Sequence, residues 1–65
     1  MIKLRIREIR EKVGMSQNRL ARDSGVSQGK ISEYESGKSL PRIDSAKKIA
    51  DVLNVDISEL IEEAV

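Results

Sequence analysis

Residues 16–36, SQNRLARDSGVSQGKISEYES, decide the fold, because their pattern predicts two short helices joined by a tight corner. Ser16 and Ser27 are of the residue type that caps helix N-termini, and Gly25 is of the type that most often ends a helix in a left-handed conformation. Between Gly25 and Ser27 stands one apolar residue, Val26, which can fill the corner of a sharp turn. The stretch therefore predicts two helices that cross steeply.

The rest of the chain also shows helical periodicity. A first helix that ends at Gly14 is predicted by apolar residues at spacings of 4, 3 and 4, namely Ile2, Ile6, Ile9 and Val13. Gly37 ends the third helix, and Pro41 opens a fourth that stops at Asn54. The apolar residues at helical spacing in this fourth helix are Ile43, Ala46, Ile49, Ala50 and Leu53. Asp56 and Glu59 form a capping box for a fifth helix, which carries Ile57, Leu60, Ile61 and Ala64.

These patterns predict an all-α fold, a compact five-helix bundle without strands. We expect one domain over residues 1–65, with a helix-turn-helix at about residues 16–36. The predicted core consists of the inward apolar residues Ile6, Ile9, Leu20, Ala21, Val26, Ile31, Ile49, Leu53 and Leu60.

The composition excludes several classes of site. The 65 residues contain no Cys and no His, so disulfides, thiol chemistry and the commonest general base are missing, and Tyr34 is the single aromatic residue. We expect no cofactor, no metal and no small-molecule ligand. No apolar run is long enough to span a membrane, and Met1 leads into IKLRIREIR, which is unlike a signal peptide. We therefore expect a cytoplasmic protein without a membrane partner.

The charge is unevenly distributed along the chain. Residues 1–30 carry eight Lys or Arg and three Asp or Glu, a net charge of +5, whereas residues 31–65 carry four and eight, a net charge of −4. This asymmetry favours a molecule with a basic face and an acidic end, although a mixed, solvated surface would also explain it.

Three residues near the helix-turn-helix break the usual rules for helix starts. A helix N-terminus favours acids, and Asp44 and the Asp56–Glu59 box follow this rule. Arg19 and Lys30 instead stand three residues after the caps Ser16 and Ser27, and Gly29 lies in the first turn of the third helix. Cations and backbone N–H groups at helix ends bind anions, so the pattern favours a docking surface for phosphates. The alternative is sequence drift on a tolerant surface.

The segment MSQNRLARDSGVSQGKISEYESGKSLPRIDSAKKIADVLNVDISELI, with its lead-in IREIRE, resembles the lambda-repressor-like, Cro/CI-type (XRE family) helix-turn-helix domain. The resemblance covers roughly residues 4–61. It depends on the order and spacing of Gln17, Leu20–Ala21, Gly25–Val26–Ser27, Ile31, Glu35, Gly37–Lys38, Pro41 and the closing LNVDISEL.

The resemblance implies a homodimeric regulator whose third helix lies in the major groove of double-stranded DNA. The implied base contacts are Ser27, Gln28, Gly29, Ser32 and Glu33. Gln28 matches adenine N6 and N7, and Glu33 matches cytosine N4. The alternative for each of these two residues is a solvated side chain without a base contact. The resemblance implies phosphate contacts at Gln17, Lys38, Ser39 and Arg42 and a further one from Arg10, and the helix-start argument adds Arg19 and Lys30. Lys47 and Lys48 are expected only to be solvated.

Two further sets of residues follow from the resemblance. Arg10 and Glu35 match a structural ion pair that ties the first helix to the third. A dimer interface is expected near the end of the domain from the surplus apolar residues Leu40, Ile57, Ile61 and Val65. Fraying of the C-terminus would also explain these residues.

Two other classes of function stay open. A protein-interaction module, of the antitoxin or adaptor kind, would keep the fold and lose base contacts. The modest net charge of +1 and the small side chain at Gly29 favour this alternative. An enzyme is the third possibility, supported only by the spacing of Ser27 and Lys30, with no base or oxyanion donors beside them. We therefore expect a protein that is not an enzyme.

Overall fold

The computed structural model describes residues 2–63, which form helices with one pair of short strands. In chain order the elements are β1 (Ile2–Leu4), α1 (Ile6–Lys12), α2 (Gln17–Ser24), α3 (Gln28–Ser36), α4 (Ile43–Leu53), α5 (Ile57–Leu60) and β2 (Ile61–Glu63). The five helices have the predicted order, and the fold class is confirmed. Within residues 2–63, no helix is both long enough and apolar enough to cross a membrane.

The two helices of the helix-turn-helix begin at the predicted serines. The hydroxyl of Ser16 accepts a hydrogen bond from the backbone N–H of Arg19 at 3.1 Å. The hydroxyl of Ser27 accepts one from the backbone N–H of Lys30 at 3.3 Å. Each bond satisfies one of the N–H groups that a helix start leaves unpaired. The contact between Ser27 and Lys30 is thus a helix cap.

The ends of α2, α3 and α4 lie at the residues that the sequence predicts. Gly25 and Gly37 end α2 and α3 with φ of 77° and 82°, a left-handed conformation that a side chain would strain. Asn54 ends α4 with φ of 59°. Both hydrogen bonds of the capping box between Asp56 and Glu59 are present at the start of α5.

The core lies where all five helices meet. α2 packs against both α3 and α4, and α1 packs against α3. The buried apolar residues are Ile6, Ile9, Leu20, Val26, Ile31, Tyr34, Ala46, Ile49, Ala50, Leu53 and Leu60. Ala21, which we expected in this core, is half-buried against it. Val26 plugs the corner between α2 and α3 as predicted, and this corner fixes how the two helices present their outer faces.

The prediction of no strands is wrong at the two ends of the described chain. β1 pairs with β2 in antiparallel register, so that Leu4 stands opposite Ile61. The backbone N–H of Arg5 donates to the carbonyl of Leu60 at 2.8 Å, which continues the link into the helices. The spacing of four between Ile2 and Ile6 suggested a helix, but the residues Ile2–Leu4 also alternate apolar and polar, the period of a strand. The pairing of β1 with β2, from opposite ends of the described chain, favours the strand conformation for Ile2–Leu4.

The first and fifth helices are consequently shorter than predicted. α1 ends at Lys12, and Val13 is an exposed C-cap residue instead of part of the apolar stripe. α5 ends at Leu60, and Ile61 already has an extended conformation with φ of −112° and ψ of 121°. Ala64 lies outside the described residues.

Candidate functional site

The outer face of α3 is polar and accessible. Ser27, Gln28, Gly29 and Ser32 are exposed, and Glu33 is half-buried. The inward side of the helix is held by two buried residues, Ile31 and Tyr34. The five residues that were implied as base contacts therefore lie together at the start and middle of one helix face.

A buried ion pair lies behind this face. Arg10 Nε donates to Glu35 Oε2 at 2.9 Å, and Arg10 Nη2 donates to Glu35 Oε1 at 3.1 Å. The side chains are 12% and 5% exposed, so the pair is largely removed from water. Arg10 Nη1 also donates to the carbonyl of Met15 at 2.8 Å. The hydrogen bond to Glu35 raises the pKa of the Arg10 guanidinium, against the opposing effect of burial.

This pair, expected from the resemblance, is therefore present, and it ties α1 to α3. The guanidinium of Arg10 is committed to the pair and to Met15. A phosphate contact from Arg10, the other role that we considered, would compete with these bonds.

The ion pair extends outward through two glutamines. Gln17 Nε2, at the start of α2, donates to Glu35 Oε1 at 3.0 Å. Gln28 Nε2 donates to Gln17 Oε1 at 3.3 Å. The chain of bonds runs from Arg10 through Glu35 and Gln17 to the exposed amide of Gln28. Within residues 2–63, the second N–H and the carbonyl oxygen of that amide have no partner. The network thus holds one exposed amide on α3 with a donor and an acceptor available.

A second set of contacts holds Glu33. Its Oε1 accepts from the hydroxyl of Ser39 at 3.1 Å and lies 3.7 Å from the ammonium nitrogen of Lys30. Ser39 and Lys30 were both predicted as phosphate contacts. The spacing of three between Lys30 and Glu33 on one helix is typical of such an approach, whereas no local pattern indicates the contact from Ser39. Gly37 brings Ser39 close to Glu33, because its left-handed conformation turns the chain back toward α3.

Gly29 is not required by the protein's own packing. A Cβ atom built on Gly29 meets no heavy atom within 4 Å, and the residue does not have a positive φ. Glycine in a helix costs up to about 1 kcal/mol relative to alanine. Packing within the protein therefore does not explain why glycine occupies this position. The two remaining explanations are the close approach of a ligand to α3 and neutral sequence drift.

The positive charges of Arg19 and Lys30, at the starts of α2 and α3, are each partly compensated by a carboxylate on the same helix. Arg19 Nε lies 3.6 Å from Asp23 Oδ2, one turn further along α2. Lys30 makes the equivalent approach to Glu33 along α3. Such pairs contribute about 0.2–0.5 kcal/mol each on a helix surface. The loss of stability that we expected from placing cations at these positions is therefore smaller than the helix dipole alone predicts.

A basic groove runs between the start of α3 and α4. Lys30, Arg42 and Lys48 line it, together with Ser39 and Tyr34. Lys48 had been expected only to be solvated, and its place in this groove was missed because its neighbours come from a different helix. Arg42 is the N-cap residue of α4 and makes no side-chain capping bond.

An apolar groove lies at the chain ends. It is lined by Leu4, Leu40, Pro41, Ile43, Ala46, Ile57 and Ile61. Leu40 is 62% exposed and Ile43 is 81% exposed, so Ile43 does not belong to the core, although it lies at helical spacing with the core residues of α4. Ile43 is the first residue of α4, where the side chain clears the neighbouring helices. Of the residues expected at a dimer interface, Leu40, Ile57 and Ile61 come together here, and Val65 lies outside the described residues.

Comparison with known proteins gives a consistent result. The sequence profile of the helix-turn-helix family matches residues 6–60. An uncharacterised HTH-type transcriptional regulator from Archaeoglobus fulgidus is 44% identical over 59 residues, which cover 91% of this chain and 84% of that protein. The cryptic phage CTXphi transcriptional repressor RstR from Vibrio cholerae is 37% identical over 59 residues. This second match covers 91% of the chain but only 53% of the repressor.

The fold is also found among solved structures. The crystal structure of a candidate DNA-binding protein from Bacteroides fragilis superposes with a TM-score of 0.87 at 35% identity. The superposition covers 95% of this chain and all of the other. The chain spans about half the length of the phage repressor.

Proposed function

The chain belongs to the helix-turn-helix family, of the lambda-repressor-like Cro/CI type, and we propose that it acts as a sequence-specific, DNA-binding transcriptional regulator. In this proposal α3 enters the major groove of double-stranded DNA, and α2 lies across the sugar-phosphate backbone. Since the ligand is DNA and the relatives are bacterial and archaeal, we place the protein in the cytoplasm.

One observation carries the proposal, namely the network that ends on Gln28. A polar network that begins at a buried ion pair is costly to assemble, and its outer end contributes nothing to packing. The Gln28 amide has one N–H and its carbonyl oxygen available. A bidentate pair with adenine needs a donor toward N7 and an acceptor toward the N6 amine. The available groups of Gln28 supply this combination.

The positively charged side chains lie on both sides of α3, where the sugar-phosphate backbone of the DNA would pass in this proposal. Gln17 and Arg19 stand at the N-terminus of α2, where free N–H groups also favour an anion. Lys30, Arg42 and Lys48 line the basic groove on the other side. Lys38, which is exposed after α3, completes the set of side chains that we assign to contacts with the DNA backbone.

The strength of this electrostatic contribution is measurable. If each subunit neutralises about four phosphates, the logarithm of the binding constant should fall with the logarithm of salt concentration at a slope of about −7 for a dimer. Arg42→Ala should reduce the steepness by about one unit per subunit and weaken all sequences alike. Lys47→Ala is the matched control, because Lys47 is exposed on α4 but does not line the basic groove.

We further propose that two copies associate through the apolar groove. Leu40 and Ile43 line this groove and are largely exposed, so the surface offers apolar side chains that a second copy of the chain would cover. Two-fold symmetry brings one surface against itself, which closes the assembly at a dimer. An operator with two-fold symmetry would match such a dimer.

The same groove supports the second candidate function, an interaction module for another protein. The two proposals differ in their dependence on DNA. Selection from random duplex DNA should enrich a short motif in two inverted copies, with adenine at one position whose preference is lost in Gln28→Ala. A protein that binds no duplex at low salt would refute the regulator and leave the interaction module.

A further inference from the structure

Glu33 occupies an unusual place for an acid. It lies on the outer side of α3, where proposed phosphates approach, and a carboxylate there is repelled unless another group offsets its charge. Two groups do so: Lys30 Nζ lies 3.7 Å from Glu33 Oε1, and the hydroxyl of Ser39 donates to the same oxygen at 3.1 Å. The acid is therefore held and partly neutralised before any ligand arrives.

The position of Ser39 is itself fixed by the end of α3. The backbone N–H of Lys38 donates to the carbonyl of Glu33 at 2.9 Å, and the N–H of Ser39 approaches the same carbonyl at 3.5 Å. Gly37 makes this reversal possible through its φ of 82°. The loop after α3 is thus bonded to the main chain of Glu33, and the serine hydroxyl is bonded to its side chain.

We infer that Ser39 is a positioning residue, which holds the Glu33 carboxylate as a fixed acceptor for an exocyclic amine in the major groove. The inference rests on the proposed function and assigns Ser39 a role other than a phosphate contact. Ser39 bonds to Oε1, and Glu33 Oε2 has no hydrogen-bond partner within residues 2–63, so it is the oxygen available to a base.

The chemistry of the acceptor selects cytosine. A carboxylate only accepts hydrogen bonds, and cytosine presents an N4 amine donor in the major groove. Guanine presents the acceptors N7 and O6, and thymine presents O4, all of which repel a carboxylate. Adenine has an N6 amine, but the acceptor N7 lies beside it. Cytosine should therefore be preferred at one position of each half-site.

The test compares two duplexes that differ at the position where selection with the parent protein finds cytosine. The parent should prefer the cytosine duplex by about fivefold or more, the lower end of the range for a bidentate base contact, because the carboxylate accepts a single bond from N4. Ser39→Ala should reduce this preference severalfold, while affinity for random DNA and the salt slope stay as in the parent. Ser39→Thr retains the hydroxyl and should restore the preference.

A matched control is available on the same helix. The hydroxyl of Ser36 donates to the backbone carbonyl of Glu33 at 3.2 Å and does not contact its carboxylate. Ser36→Ala should therefore leave the cytosine preference unchanged. Glu33→Gln should shift the preference from cytosine toward adenine, because an amide can donate to N7 as well as accept from N6.

The outcomes separate the inference from the function on which it rests. If Ser39→Ala weakens both duplexes and random DNA equally and makes the salt slope shallower, Ser39 is a phosphate contact and the inference is wrong. A parent protein that binds its operator without a cytosine preference at any position also overturns it, with the regulator intact. A parent that binds no DNA overturns both.

Discussion

Replacing Arg10 with methionine removes the group that neutralises the buried carboxylate of Glu35. The Glu35 side chain is 5% exposed and would lose two charge-assisted hydrogen bonds, of 2.9 and 3.1 Å, while retaining the bond from Gln17. Leaving one partner of a buried ion pair unpaired costs about 3–5 kcal/mol. A chain of this length is expected to have a total stability of about 3–10 kcal/mol, so Arg10→Met should unfold a large fraction of the molecules or come close to it.

The double variant Arg10→Met with Glu35→Leu separates lost charge from lost packing. With both charges gone, apolar side chains of similar size fill the space, and such replacements are often neutral or stabilising. Loss of the acceptor for Gln17 adds about 1 kcal/mol, because that amide is partly buried. The double variant should therefore be more stable than Arg10→Met alone by about 2 kcal/mol or more.

Urea unfolding followed by helical circular dichroism measures these differences. With a slope of about 1 kcal/mol per molar urea for a small domain, a change of 3 kcal/mol moves the midpoint by about 3 M. A loss below about 1 kcal/mol in Arg10→Met would refute the account of the buried pair. Operator binding gives a second measurement: the folded double variant should lose affinity for the operator more than for random DNA, because Gln17 no longer fixes Gln28.

Three other substitutions each test the contribution of one residue to stability, DNA binding or self-association. Gly29→Ala should stabilise the free protein by about 0.4–1 kcal/mol in urea unfolding and weaken operator binding, whereas unchanged binding would exclude a close approach of DNA to Gly29. Lys30→Glu should alter stability by less than about 0.5 kcal/mol, since a better helix start is offset by repulsion from Glu33, yet reduce DNA affinity severalfold. Ile43→Asp should shift sedimentation toward monomer, and at protein concentrations where the parent is itself monomeric it should leave the urea midpoint unchanged, because Ile43 is 81% exposed. A parent that is monomeric both free and on DNA would contradict the dimer.

The helix boundaries were predictable because local chemistry determines them. Ser16, Ser27 and Asp56 start helices with bonds to groups three residues away, and Gly25 and Gly37 end helices through their own backbone conformation. Each of these signals acts within one turn, so a sequence pattern contains all the participants.

The terminal ribbon was not predictable in the same way. β1 and β2 pair across nearly the whole described chain, and three-residue strands have too few positions to show a clear period. The same limit applies to the outward position of Ile43, which has a helical spacing with the core but lies at the first position of its helix. In both cases the tertiary arrangement, not the local pattern, decides which side of an element is covered.

The location of the candidate site on α3 could be predicted from the sequence, but only some of the contacts between its side chains could. The exposed polar face of α3 follows from its two inward residues, Ile31 and Tyr34. The bond from Ser39 to Glu33 needs the reversal at Gly37, and the approach of Lys48 to the basic groove needs the packing of α4 beside α3. These contacts join different elements, so spacing along one helix contains no information about them.

The departures from local stability rules lie close together in the fold, and this placement argues for a ligand more strongly than any one of them. Arg19 and Lys30 stand at the third positions of α2 and α3, Gly29 lies in the first turn of α3, and Arg42 starts α4 without a capping bond. At the start of α5, by contrast, the capping box is complete. Neutral drift would distribute such departures over all exposed helix starts. Among the described helices, only α2 and α3 have no acid in the first turn, whereas α1, whose N-cap residue Arg5 also makes no side-chain capping bond, has Glu8 there. A cation in place of an acid at these two neighbouring helix starts, beside the amide that the buried network holds outward, is what binding to a phosphate backbone requires.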